Sequence, residues 1–542
     1  MKDRKVRHFA ADYCNNDTRV EGIFPHHFLD ERSIAHRLQI AATKTSCAAV
    51  VATLRDATPN PSETTRRHLE WLEQGNTVAV VAGQQVGLFL GPAFAFYKAA
   101  GVIRTAQQIH KQFGVRAVPI FWLQNEDHDI EEIRSATIPT RDGLVVTSLS
   151  ASTHRPKTSI RDELLGPEIT SALGTVAEAL AGRAKAAEVM DWLGRHYRPD
   201  ATYSEAFAGA LGEWFADEGL LFVDARHPQF AAASRDLMKQ ALVQTETISA
   251  ALAEQNERLM SLGYSPTVYV RPRSPLLFVH PDGANGPRYR LEANDNDAYT
   301  VVGYPEHRTM TTGQLEALID ADPRAVSTSA LLRPVIQDSL LPTAVMLGGP
   351  SELAYLAQCV PLYSLFRQTL PVICPRPSFC ILLPRTWSLM RRIGLDSIDL
   401  SLPWDQLVAR HLAQTEGGIP TPDVVSELLT TSLGDVIQQL HLASVPMGSM
   451  MESALRKTEN TLNFAVRRFG EHYRKTYFIR DKESAERWAK LKAEIRPGNI
   501  PQERVVSVVA YAAAVGMNTF KHKVLEHTVP FTYGTKEILW QT

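Results

Sequence analysis

The stretch Thr77-Val78-Ala79-Val80-Val81-Ala82-Gly83-Gln84-Gln85-Val86-Gly87-Leu88-Phe89-Leu90-Gly91-Pro92 decides the fold. Thr77 to Ala82 are small, apolar or β-branched, the pattern of a strand buried on both faces. Gly83, Gly87 and Gly91 then punctuate a turn. Beyond Pro92, the residues Phe94, Tyr97, Lys98, Val102, Ile103 and Ile109 recur at helical spacing. Proline suits a first helical turn, where its missing N–H costs nothing. A second strand is predicted from Val115 to Leu123, stopping at Gln124-Asn125-Glu126-Asp127-His128-Asp129. Strand, glycine turn, helix and strand make a βαβ unit. Ligands of open α/β sheets bind beyond the carboxyl ends of the strands, where both polar turns fall.

Outward from this unit, the same pattern recurs late in the chain. Ala344-Val345-Met346-Leu347 runs into Gly348-Gly349-Pro350-Ser351-Glu352, and Pro371 to Cys374 reads as a last core strand. Gly219 to Asp224 gives another buried strand, followed by a long helix predicted from Pro228 to about Leu262. Thr267 to Val270 and Leu276 to Val279 read as antiparallel strands. The fold class expected is α/β, a Rossmann-like parallel sheet split by insertions, with a C-terminal α-helical antiparallel coiled-coil arm. Residues 1–137 hold N-terminal helices and the first half of the core, and 138–201 a first insertion. The core continues over 202–262, a second insertion spans 263–325, and 326–395 completes the core. The helical coiled-coil domain occupies 396–510 and a C-terminal helical segment 511–542.

In the arm, Thr421-Pro422 is a good helix start. Leu429, Leu433, Val436 and Leu440 form one apolar seam, and Met451, Leu455, Leu462 and Phe469 another, on a helix that Trp488, Leu491 and Ile495 extend. The two seams can cover each other. Apolar surface beyond the shorter helix would then be free for a second copy of the chain, so a homodimer is expected.

The chemistry concentrates at the strand ends. Gly83, Gly87 and Gly91 can let backbone approach a phosphate or carboxylate at a helix N-terminus; the competing reading is an ordinary tight turn, since no complete nucleotide-binding signature is present. Gln84 and Gln85 add amide donors and acceptors. Lys98, two turns into the helix, reads as a surface lysine. Glu126, Asp127, His128 and Asp129 form the strongest cluster, able to orient an amine, act as acid and base or hold Mg²⁺; against this stands a solvated loop capping the next helix. Their spacing matches no closed zinc site. Arg333, with Gln337 and Asp338, can clamp a carboxylate or phosphate, or form a structural ion pair with Asp338. Glu352 is either a helix-start acid or a ligand for a substrate amine. Asp224 reads as a strand-end cap.

These residues carry a resemblance. The strings GQQVGLFLGP…YK and FWLQNEDHDIEEI, with LLRPVIQD over 331–338, GGPSE over 348–352 and the segment Pro497 to Arg504, resemble the bacillithiol biosynthesis cysteine-adding enzyme family. The match runs from about Thr77 to the last helices. Ala82, Asn125 and Ser329 depart from the family's usual residues. The resemblance implies a ligase that forms an amide between cysteine and the amine of an amino sugar linked to malate. It implies catalytic roles among Glu126, Asp127, His128 and Asp129. It implies substrate or nucleotide contacts from Gly83, Gln84, Gln85, Gly87, Phe89, Gly91, Pro92, Arg333, Gln337, Asp338, Gly348, Gly349, Pro350 and Glu352. ATP or a related nucleotide, with Mg²⁺, would activate the carboxylate; no resident metal site is expected. Two rival classes are a ligase or nucleotidyl transferase for another small amine, and a non-catalytic scaffold using the helical arm.

Composition fits a globular enzyme. Hydrophobic residues make up 44% and charged residues 21%, with a formal net charge of -2, so no basic field points to nucleic acid. Basic residues along the last long helix interleave with Glu452, Glu459 and Glu471, the pattern of a solvated face. Five cysteines, Cys14, Cys47, Cys359, Cys374 and Cys380, include no CxxC pair, which fits reduced thiols in a cytoplasm. The start of the sequence is polar, without an apolar signal core, and no run is long enough for a membrane span.

Overall fold

The computed structural model describes residues 7–58, 61–140, 143–150, 155–294, 298–395, 407, 420, 422–444, 449–479 and 482–540. The chain forms two compact units. The first comprises Met1–Phe379 and Glu503–Lys536, the second Cys380–Gln502 and Glu537–Thr542.

The first unit is built on a Rossmann-like parallel sheet. Strand β1 (Thr77–Gln84) pairs with β2 (Arg116–Leu123) in the register Gly83 to Trp122 and Gln84 to Leu123. The helix between them, Phe94–Phe113, ends at Gly114 in the left-handed conformation. A short hairpin follows, β3 (Ser135–Pro139) with β4 (Leu144–Ser148), then two helices, Ile169–Ala179 and Ala186–His196. Thr202 and Glu205 form a capping box that starts the helix Tyr203–Trp214, which leads to β5 (Leu221–Asp224).

The long helix predicted from Pro228 is three helices, Pro228–Ala233, Arg235–Val243 and Thr245–Ser261. At the breaks, the Ser234 hydroxyl donates to the Ala231 carbonyl at 2.8 Å and the Thr245 hydroxyl to the Leu242 carbonyl at 2.7 Å. Such side-chain bonds compete with the helical ladder.

A second sheet then forms, wholly antiparallel, from β6 (Leu277–Val279), β7 (Tyr289–Ala293), β8 (Ala298–Val302), β9 (Thr309–Thr311) and β10 (Val326–Thr328), in the order β10-β6-β7-β8-β9. Two expectations change here. Thr267 to Val270 is not a strand. The Gln358 side chain takes the place of a partner strand, accepting from the Thr267 and Val268 amides and donating to the Val268 carbonyl. The sheet also runs on through Thr328, because β10 pairs with β6.

The core resumes with β11 (Thr343–Gly348), the helix Pro350–Leu365 and β12 (Val372–Pro375), giving the strand order β12-β11-β1-β2-β5. The chain steps from β1 to β2 and β5 on one side, then returns to place β11 on the other. The reversal lies between β1 and β11, and a crevice at such a switch point is where this class of sheet binds ligands. Thr77 to Gly83 are buried throughout, as a strand covered on both faces requires. Helices Val509–Val515 and Met517–His527, separated at Gly516, belong to this unit.

In the second unit, helices Pro422–Ser444 and Ser449–Ile479 pack together. The pair is antiparallel, since the Tyr473 hydroxyl donates to the Pro420 carbonyl while His441 lies near Glu459. Leu455 is buried, but Val436, Leu440 and Phe469 are exposed. Trp488, Leu491 and Ile495 do not extend the long helix. They sit on a separate helix, Lys482–Ile495, and form a small core with Met390, Ile393 and Leu407. The predicted cap Thr421 lies outside the described residues. No helix among the described residues is long and apolar enough to cross a membrane. None of the five cysteines forms a disulfide; Cys47 is exposed and the other four are buried.

Candidate functional site

The carboxyl ends of the five parallel strands carry the candidate residues side by side. β2 delivers the acidic turn. Asn125, fully buried, donates to Asp224 at 3.1 Å and to Ser204 at 3.2 Å, fixing this turn to the end of β5. Asp224 also pairs with Arg161 at 2.5 Å, so its role is structural, as a strand-end cap. Past Asn125, the Asp127 carboxylate accepts from the His128 amide at 2.7 Å and lies 3.3 Å from His128 Nδ1. Hydrogen bonding to His128, opposed by burial and helped by Arg288, holds the Asp127 carboxyl down to about 2. Glu126 accepts from the Thr328 hydroxyl at 3.1 Å. Asp129 is exposed at the start of a short 3-10 turn.

A cleft of about 420 Å³ opens over this turn, within the range of small-molecule sites. Glu126, Asp127, His128, Gln124 and Gln85 form part of its wall; Arg271, Arg288, Arg290, Thr328 and Arg333 form much of the rest. Three of these arginines come from the second insertion, and sequence reasoning missed them. Arg288 is buried, lies 3.9 Å from the Phe278 ring, and donates to the Glu126 carbonyl at 2.7 Å, so the insertion braces the acidic turn. The signal available in the sequence was Arg288 and Arg290 two residues apart, which places both on one face of an extended chain. Arg333 opens a helix, Arg333–Leu340, with Pro334 in its first turn, and is buried. Its Nη2 donates to the Tyr355 hydroxyl at 2.7 Å. Buried N–H groups at Arg288 Nε, Arg290 Nε and Arg333 Nη1 have no protein acceptor among the described residues. Unmet buried donors of this kind call for an anionic partner.

Arg333 and Asp338 do not form the ion pair that was one reading of their spacing. Asp338 accepts instead from the Tyr363 hydroxyl at 2.6 Å and from Gln337 at 2.9 Å, deep in the core, and burial raises its carboxyl. Gln337 is fully buried beside it.

The two glycine turns differ. In the first, a Cβ on Gly87 would meet Gly91 Cα at 2.8 Å, so the two glycines pack backbone to backbone. Phe89 is buried with φ of 49°, its carbonyl accepting from Ser507, while the Leu90 amide donates to the Tyr197 hydroxyl at 2.9 Å. The amide of Ala93, just past Pro92, donates to the Val506 carbonyl at 2.8 Å. Gly87, Phe89, Gly91 and Pro92 therefore make a closed knot whose donors face protein. Gly83 lies at the end of β1, tight against Trp122 and Gln124.

In the second turn, Gly349 caps the helix that Pro350 opens, and the Glu352 side chain accepts from the Gly349 amide at 2.8 Å. Glu352 also pairs with Lys98 at 2.6 Å. Lys98 is not a surface lysine: it is 1% exposed. Its ammonium donates to the Gly83 carbonyl at 2.6 Å and to Gln84 Oε1 at 3.0 Å. Burial pushes this lysine below its ordinary range, and Glu352 works against that shift. Gly348, Gly349, Pro350 and Glu352 thus join the first turn through Lys98, not the cleft wall.

The comparisons agree with this architecture. Residues 1–377 match the family model described as bacillithiol biosynthesis BshC, N-terminal Rossmann-like domain. A relative from Koribacter versatilis, named "Putative cysteine ligase BshC", is 28% identical over 94% of this chain and 93% of its own. Relatives of the same name from Salinibacter ruber and Geobacillus thermodenitrificans are 27% and 24% identical, over 92% and 94% of this chain and 90% and 94% of theirs. A chain with this split sheet, matched over its whole first unit but the C-terminal return, belongs to the bacillithiol biosynthesis BshC family.

Proposed function

We propose that this protein is a ligase of bacillithiol biosynthesis, joining the carboxyl group of cysteine to the amine of glucosaminyl-malate. The observation that carries the reading is the two-signed cleft: carboxylates of Glu126 and Asp127 face unmet guanidinium donors of Arg290 and Arg333. That arrangement suits a substrate with an amine at one end and carboxylates at the other. Both cysteine and an amino-sugar malate are of this kind. The family's relatives carry the name cysteine ligase.

In this reading Asp127 stays ionised and orients His128 through Nδ1, leaving Nε2 to take a proton from the substrate ammonium. The freed amine attacks an activated cysteinyl carbonyl, and the activating group leaves. ATP or a related nucleotide, with Mg²⁺, supplies the activation. In the first glycine turn the amides of Gly87, Leu88, Leu90, Gly91 and Ala93 are engaged by protein, which does not fit a phosphate cradle, so no step is assigned to it. Asp129 is not among the residues that line the cleft, so no role is assigned to it.

Incubating the protein with cysteine, glucosaminyl-malate, ATP and Mg²⁺, and following product mass, tests the reading. Amide product is expected, with turnover in Asp127→Asn reduced about 100-fold. Product from a different amine only would replace the substrate; no product, from folded protein, would reject the ligase.

The helix pair of the second unit is proposed to form a homodimer. Leu428, Phe464 and Phe469 are exposed there, more than half of each side chain's surface in every case. Light scattering should give twice the chain mass, and Phe469→Asp a monomer; a monomer for the intact protein would end the idea.

A further inference from the structure

Lys98 carries three N–H donors, and the structure gives it three acceptors: the Gly83 carbonyl, Gln84 Oε1 and Glu352 Oε2. An ammonium so saturated has no donor left for a ligand. It decides instead how its neighbours point. Because an ammonium accepts nothing, the Gln84 amide must turn its oxygen inward, which turns its NH₂ away from Lys98. Glu352 spends Oε2 on Lys98 and on the Gly349 amide, which leaves Oε1 uncommitted among the described residues. Gln84, at the end of β1, is half-buried, and Glu352, in the first turn of the helix after β11, keeps 15% of its side chain exposed.

We propose that Lys98 is a positioning residue that sets Gln84 Nε2 and Glu352 Oε1 side by side as a donor–acceptor pair reading the hydroxyl groups of a sugar ring. A hydroxyl both donates and accepts, so neighbouring ring hydroxyls match one amide N–H and one carboxylate oxygen. The proposal rests on the ligase reading for its amino-sugar substrate and assigns that substrate's ring to the switch point. Lys98 also staples the end of β1 to the start of the helix after β11, so the subsite exists only while the two halves of the split core are tied.

The test uses the full chain with Lys98→Met, with Gln84→Leu as the variant that keeps the buried ammonium. Isothermal titration with glucosamine should show affinity reduced about tenfold in both variants. In the ligase assay, KM for the amino-sugar substrate should rise by a similar factor while KM for cysteine and kcat hold. Hydrogen exchange gives a readout independent of any substrate: protection of the Gly349 amide should fall in Lys98→Met and stay in Gln84→Leu. Unchanged Gly349 protection in Lys98→Met overturns the positioning role. Unchanged glucosamine affinity, or no glucosamine binding by the unaltered protein, overturns the sugar subsite. Glucosamine binding with the expected losses, in a protein that makes no amide product, would instead retire the ligase reading and keep the subsite. Should Lys98→Met fail to fold, Gln84→Leu decides the subsite alone.

Discussion

Two turns of this protein share one sequence pattern, an apolar strand running into glycines, a proline and a helix, yet they do opposite things. The turn from Gly83 to Pro92 is closed. Gly87 lies against Gly91, and the amides of Leu90 and Ala93 are met by Tyr197 and Val506. The turn from Gly348 to Glu352 is open, and its acid is held out to Lys98. Glycine in the first permits backbone to meet backbone; in the second it starts a helix whose third residue, Glu352, pairs with a buried lysine. The pattern marks a place in the sheet, and the surroundings decide whether a ligand is served.

The comparison is sharpened first by Glu352→Gln. It leaves a buried ammonium without its counter-charge, so unfolding should cost about 3 kcal/mol less, with weaker amino-sugar binding besides. Denaturant titration and calorimetric binding measure both; stability lost without any change in binding would make the second turn as purely structural as the first. Next comes Gly87→Ala. The added carbon overlaps Gly91, and overpacking of this kind costs about 2 kcal/mol. Here the midpoint should fall while substrate affinity stays, and an affinity loss at equal stability would reopen the first turn as a binding loop. Tyr197→Phe strips the buried Leu90 amide of its acceptor and should cost about 1 kcal/mol, again without effect on affinity.

The smallest effect expected is a pH dependence. The Asp127 carboxyl sits at about 2 in the folded protein against an ordinary 3.8. A depressed carboxyl contributes stability above the ordinary value and loses it as pH falls through the folded one. Asp127→Asn and the unaltered protein should therefore differ by a nearly constant stability above about pH 5, with the difference shrinking below pH 4 and vanishing only as pH falls to about 2. Turnover should show no acidic limb from Asp127 above about pH 4, measured as kcat/KM against pH.

The βαβ unit was legible because a doubly covered strand leaves an unbroken apolar run, as Thr77 to Ala82 do. Its ligand end was legible because polar residues stop both strands. Lys98 was misread, since helical spacing gives a residue's face but not what lies across from it, and here the strand end buries that face. Arg271, Arg288 and Arg290 were missed because an insertion of short half-exposed strands reads as surface until it folds over the acidic turn. Asp338, named a site residue by the resemblance, lies in the core, where it accepts from the Tyr363 hydroxyl, a contact no local pattern announces. Thr267 to Val270 read as a strand because no local rule shows that Gln358, some ninety residues later, will occupy its hydrogen bonds.

The tether of the first turn to Ser507 and Val506 bears on how the protein is made. Residues 77–92 leave the ribosome early, but the segment that locks them is synthesised after Cys380–Gln502, the larger part of the second unit. A nascent chain must therefore hold the turn after β1 with its Phe89 carbonyl and Ala93 amide unmet while more than four hundred further residues are added. Glu503–Lys536 acts as a closing strip, and Cys380–Gln502 is the excursion it must wait for. A chain stopped near residue 502 would present an unlocked turn, and the apolar surface that helices Val509–Val515 and Met517–His527 would cover, to chaperones and proteases, so quality control would remove it before any question of activity arose.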